Sequence, residues 1–437
     1  MTLSGVGGNY RQRLSMKLFP VPFIAGVLLF IMPLFSGGVS PVRAGETPPA
    51  GQGADPHRQM PSPVSVEQLR QSFAANPYNP VIKKNLASAV MMHGIGLMKQ
   101  KRYEEAAAQF EYAEELFPDD PQAAFLRGNA VYQLKQYDLA RTELEKARNL
   151  GGDNADVLFF LGKVFYDTED IREAVALWEL AAQKDPENKT LQELLAKTKR
   201  ELSVDTGMGK GQSSRFILSY DSGIKSDAAD TVLDVLEDAY NQVGRDLGAY
   251  PESRVPVILY TGKDYREITG SPGWSGGQYD GKIRLPVGGL TEVTPLVRSV
   301  LFHEYTHVVV RELTRGNCPV WLNEGLAEIE GRKEFDPPLT DLNQAVAGKA
   351  LLPFSSLAGS FASLQGKSVN LAYQQSYSLV SYMISAYGWH TMKDLLVALG
   401  EGAAIDVAAA RTYRDVGRTL VEIVAEWQER LTSGQGR

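Results

Sequence analysis

The chain has 437 residues, 45 Lys and Arg against 52 Asp and Glu, and a formal net charge of −7. That balance, with no long basic run, argues against a nucleic-acid partner, and the length allows two to three domains. The single cysteine, Cys318, excludes an intramolecular disulfide, so stability must come from burial.

Residues 1–17 carry Arg11, Arg13 and Lys17 and no acid, and Leu18 to Phe35 is almost continuously apolar. Val42-Arg43-Ala44 then offers a small-residue cleavage site, so residues 1–44 read as a secretory signal peptide. Pro20, Pro22 and Pro33 interrupt the run as a membrane helix, leaving no stable span once the signal is removed. A retained signal anchor is the alternative. The protein is therefore expected to be exported, to a periplasm or outside the cell. Residues 45–63, rich in Gly, Pro and Gln, read as a flexible leader.

Self-similarity governs the next stretch. Gly94, Gly128 and Gly162 recur every 34 residues. So do Ala106, Ala140 and Ala174, and then Phe110, Leu144 and Trp178. Ala113, Ala147 and Ala181 keep the register, and Pro118, Gly152 and Pro186 mark turns. Small residues at one position and a large one at another suit paired helices in close approach. The pattern resembles the tetratricopeptide repeat (TPR). Three repeats are expected at 87–120, 121–154 and 155–188. A short helix over Val66 to Ala75 precedes them. A capping helix at 189–202 follows, with Gln192, Lys197 and Lys199 facing water. The whole, 64–203, would be a solenoid that binds a protein partner or acts as a spacer.

Residues 204–214 read as a linker. GMGKGQSS within it lacks the spacing of a phosphate loop, and no strand precedes it. The pattern then changes. Phe216 to Tyr220 and Val255 to Tyr260 read as strands, and Ala228 to Leu247 as an amphipathic helix. Gly277 to Val287 reads as a hairpin.

The pentapeptide His303-Glu304-Tyr305-Thr306-His307 follows, using two of five histidines in the chain. On a helix, residues i and i+4 share a face, so both imidazoles can grip one zinc ion (Zn2+), and Glu304 lies beside it as a base toward water. Val297, Val300, Leu301, Val308, Val309 and Val310 make this helix apolar nearly all round, so its polar groups need partners. Sixteen residues separate His307 from Glu324, enough to turn into a second helix. Pro319 suits its first turn, Gly331 suits its end, and Glu324 and Glu328 share a face.

HEYTH followed by WLNEGLAE resembles the gluzincin metallopeptidases, close to the M1-type aminopeptidases and the smaller peptidase-MA-like domains. Together with the repeats, the resemblance implies an α-helical TPR solenoid followed by an α+β zincin-like metallopeptidase domain over 215–437. It implies Glu324 as third zinc ligand, beside His303 and His307. Glu328 would orient a ligating histidine. Tyr373, with Tyr377 as the alternative, would donate to the oxyanion. In such peptidases an edge strand before the active-site helix pairs with extended substrate, and Ile283 to Leu285 is the candidate. The spacer between motifs is shorter than in the M1 enzymes, and their amino-terminus-binding motif is absent, so aminopeptidase specificity is not carried over. The implied function is zinc-dependent hydrolysis of a protein or peptide substrate, with Glu304 as general base. The alternative is a TPR scaffold protein carrying a catalytically silent zinc-binding domain. His57, His93 and His390 read as histidines without a metal or catalytic role, and Cys318 as a small apolar residue.

Overall fold

The computed structural model describes residues 65–269, 278–359, 361, 364 and 366–433. The signal, its cleavage site and the leader lie outside them, as do His57 and Gly277. The chain divides into two compact units, with the boundary between Leu202 and Ser203.

The first unit is a stack of helical hairpins. α1 (Val66–Ala75) starts at a capping box formed by Ser65 and Gln68. α2 (Pro80–Lys99) and α3 (Tyr103–Leu116) form the first pair, α4 (Pro121–Gln133) and α5 (Tyr137–Ala147) the second, and α6 (Ala155–Asp167) and α7 (Ile171–Lys184) the third. α8 (Lys189–Asp205) ends the stack, with Gln192 and Lys199 exposed and Lys197 half-buried, its Nζ 3.8 Å from Glu201 Oε1. α2 starts upstream of the 87–120 frame. Asn79 caps it with Pro80 in its first turn, and the added turns bury Leu86 near Val66, Leu69 and Phe73 of α1.

The 34-residue period has a direct packing cause. A Cβ on Gly94 would lie 2.6 Å from Phe110 Cε1, one on Gly128 2.8 Å from Leu144 Cγ, and one on Gly162 2.4 Å from Trp178 Nε1. In each hairpin the glycine admits the large residue of its partner helix, which is then fully buried. Trp178 also donates from Nε1 to the Phe159 carbonyl at 2.9 Å.

The second unit carries a five-stranded sheet of order β1-β2-β3-β5-β4. The strands are β1 (Gly209–Gln212), β2 (Phe216–Tyr220), β3 (Val255–Leu259), β4 (Gln278–Tyr279) and β5 (Ile283–Leu285). β2, β3 and β5 run parallel, and β1 and β4 are antiparallel edges. Two expectations are corrected here. Gly209–Gln212 lies in the expected linker but pairs along β2. Ile283–Leu285 is an inner strand, paired with β3 on one side and, at Ile283 and Arg284, with β4 on the other, so it is not the edge strand expected.

β3 is buried along its whole length. Val255, Val257 and Leu259 face the main core, and Ile258, with neighbouring Tyr260, faces Tyr265 and Ile268 of α10 (Gly262–Thr269). The main core lies between the sheet, α9 (Ser226–Leu247) and α11 (Pro295–Thr314). Tyr305 of α11 packs there against Phe216, with ring centroids 5.5 Å apart, and against Tyr240 at 6.2 Å.

α12 (Val320–Arg332), α13 (Thr340–Ala347), α14 (Phe354–Ala358), α15 (Lys367–Gly400), α16 (Ile405–Thr412) and α17 (Leu420–Thr432) complete the unit. Pro319 is the N-cap of α12, one residue earlier than expected. Gly331 is the penultimate residue of α12, at its end as expected, where α12 meets α11: a Cβ would sit 2.9 Å from the Ser299 carbonyl oxygen. Gly325 marks the opposite contact, where a Cβ would sit 2.4 Å from Val380 Cγ2 and 2.6 Å from the Ser376 carbonyl oxygen of α15. α15 is interrupted at Gly388, at φ 84° and ψ 161°. Among the described residues, no helix is long and apolar enough to cross a membrane.

Candidate metal centre

Three helices meet at one point. α11 presents His303 and His307 one turn apart, with ring centroids 4.8 Å from each other. α12, held between α11 and α15, presents Glu324, which is fully buried. Glu324 Oε2 lies 3.5 Å from His303 Nε2 and 3.6 Å from His307 Nε2. One donor atom from each of the three side chains falls within 4.8 Å of the other two. Both oxygens of Glu324 and His303 Nε2 are buried without a hydrogen-bond partner. Burying a carboxylate so is costly unless something else satisfies it. Two imidazole nitrogens and a carboxylate oxygen are the donors of an open zinc site, so the residues fit that metal.

The electrostatics follow from burial and crowding. Burial pulls the His303 imidazolium down, but the Glu324, Glu328 and Glu304 carboxylates outweigh it and the ring titrates at about 9. Burial pushes His307 down to about 4, against the pull of Glu324. Glu304 is buried, with Oε2 unbonded, and burial pushes its carboxyl up to about 8, opposed by the His303 charge.

Glu328 lies beside the other face of His303, with Oε1 3.6 Å from Nδ1. Its Oε2 accepts from Arg332 Nε at 3.0 Å. Tyr373, in the second turn of α15, is buried with its ring centroid 6.5 Å from His303 and 5.5 Å from Phe361. Tyr377 lies elsewhere, its ring under the Arg332 guanidinium at 4.4 Å. Two neighbours escaped the sequence reading. Asn323 acts on His307 and raises its pKa. Arg332 stands four residues after Glu328, an i,i+4 signal that was present in the sequence.

The remaining candidates are not among the three donors. His93 is exposed in the first unit. His390 is exposed, with Nε2 3.0 Å from Thr391 Oγ1. Cys318 is half-buried against the main core, and burial pushes its thiol up, away from the thiolate.

Comparison with known families agrees with both units. Residues 236–432 match the family model described as Peptidase MA superfamily, and residues 91–155 match that of the tetratricopeptide repeat. The chain thus carries a TPR region followed by a Peptidase MA superfamily domain, a peptidase-like domain behind a protein-interaction module. No curated protein matches the chain. Among solved structures, the chain matches the first TPR of Spaghetti (RPAP3) bound to an HSP90 peptide, SRMEEVD, at 21% identity and a TM-score of 0.26. That match covers 27% of this chain and 93% of the other.

Proposed function

We propose that the protein is an exported zinc-dependent metallopeptidase of the gluzincin type, whose TPR region recruits a protein substrate or partner. The observation that carries the reading is the convergence of His303, His307 and Glu324, with both Glu324 oxygens and His303 Nε2 buried and unbonded. Zinc held there would supply Lewis-acid activation of a water and of a peptide carbonyl.

The chain's own residues do the rest. Glu304, buried beside His303, takes the proton of the attacking water and delivers it to the departing amide nitrogen. The Tyr373 hydroxyl donates to the oxygen on which negative charge grows. Glu328 Oε1 faces His303 Nδ1 at 3.6 Å, which favours a proton on Nδ1 and leaves Nε2 for the metal. Export rests on the basic and apolar segments of residues 1–44.

The test is zinc content and hydrolysis of an unfolded polypeptide, measured for the mature protein beside Glu304→Gln. Both should hold one zinc, and the variant should lose at least about 100-fold in kcat, the scale of a general base. Equal activity in the two would sink the mechanism. Stoichiometric zinc with no turnover by the parent would point instead to a silent zinc module.

A further inference from the structure

We infer that Arg332 is a positioning residue for the metal centre, acting on His303 through Glu328. The inference rests on the zinc-site reading above. The face of α12 that supplies Glu324 continues one turn on with Glu328 and one more with Arg332, so the donor, its neighbour and the arginine form a ladder. Glu328 uses its two oxygens in opposite directions, Oε1 toward His303 Nδ1 at 3.6 Å and Oε2 on Arg332 Nε at 3.0 Å.

An ordinary helix-surface ion pair would leave the arginine in water, but here its side chain is only 7% exposed. The guanidinium is held on several sides. Nη1 donates to Asp336 Oδ1 and to the Pro337 carbonyl, each at 2.7 Å, and the ring of Tyr377 lies against its plane at 4.4 Å. A planar fork fixed in this way presents Nε in one direction, and Glu328 is thereby fixed before any metal arrives. The imidazole of His303 is then bracketed, Nδ1 facing Glu328 and Nε2 facing Glu324. Arg332 is not one of the three donors. Its effect is on where His303 points.

The experiment measures the Zn2+ dissociation constant by competition with a chromogenic chelator, on the full chain. Arg332→Gln, Arg332→Lys, Glu328→Gln and the double variant Arg332→Gln/Glu328→Gln are compared with the parent, and the melting temperature of each metal-free protein is recorded. Loss of a group that orients a ligand weakens metal binding about 10- to 100-fold. Arg332→Gln should weaken zinc about tenfold, Arg332→Lys less, and the double variant no more than Glu328→Gln alone. Metal-free melting temperatures should not follow that order. If Arg332→Gln does not fold, Arg332→Lys carries the comparison in both Glu328 backgrounds, with its effect expected to vanish when Glu328 is Gln. Parental zinc affinity in Arg332→Gln, or multiplying effects in the double variant, overturns the role of Arg332. A parent that binds no zinc overturns the metal-site reading itself.

Discussion

His303 in the metal-free protein keeps its proton up to about pH 9, because three carboxylates outweigh the cost of burying its charge. A metal must displace that proton. Below pH 9 the apparent zinc affinity should therefore rise with pH, by about tenfold per unit from this group alone, and flatten once the ring is neutral. His307, pushed down to about 4, is already neutral at pH 7 and contributes no such slope. Calorimetry in buffers of different ionisation enthalpy checks this: zinc uptake at pH 7 should release at least about one proton, that of His303, and zero release would contradict the crowding. Tyr373→Phe belongs to the same scale. It should lower kcat by about 100- to 1000-fold, the range for one oxyanion donor, with zinc affinity and KM little changed. Much of this residue-level chemistry was legible because HEYTH and WLNEGLAE carry helical spacing that needs no long-range information. The surroundings of Tyr373 and Tyr377 were not, since both suit the same helix face: the Tyr373 ring lies 6.5 Å from that of His303, and the Tyr377 ring lies against the Arg332 guanidinium.

Between elements, glycines set the spacing of helices, and two of them give contrasting predictions. Gly162→Ala would drive a methyl into Trp178 in the α6–α7 hairpin. It should cost about 1–3 kcal/mol as overpacking, seen in thermal melts, with zinc content unchanged. Gly325→Ala would push α12 off Val380 and the Ser376 carbonyl, at a residue adjacent to Glu324. A similar loss of stability should come with weakened zinc binding, because moving α12 moves a donor. Parental zinc affinity in a folded Gly325→Ala protein would mean that the α12–α15 contact does not set the site. The repeats were readable in sequence because glycine, alanine and a large residue recur at a fixed period. The sheet was readable only in part. Gly209–Gln212 has two glycines and low strand propensity, and takes its conformation from the ladder it forms with β2. The inner place of β5 depends on strand order, which is set by long-range pairing that no local pattern reports.

At the scale of the molecule, each unit keeps its own hydrophobic core and the chain has one cysteine. Reducing agent should leave the melting temperature unchanged, even for protein recovered from an oxidising compartment. The export proposal makes a simple demand: the amino terminus of the recovered protein should be Gly45. A chain of the full 47.9 kDa held in the membrane fraction would support the retained anchor instead.

The order in which the centre is drawn from the chain has a consequence for folding. His303, His307 and Glu324 lie within 22 residues on two consecutive helices, whereas Tyr373 arrives 49 residues later on α15. Closing a short loop costs little chain entropy, so the α11–α12 hairpin can gather its three donors early, whereas α15 must dock across a longer loop. On the proposed mechanism, a folding chain could capture its ion as a nascent hairpin and stay inert until α15 seats. Such timing would spare it, and its neighbours in the same compartment, from premature cleavage.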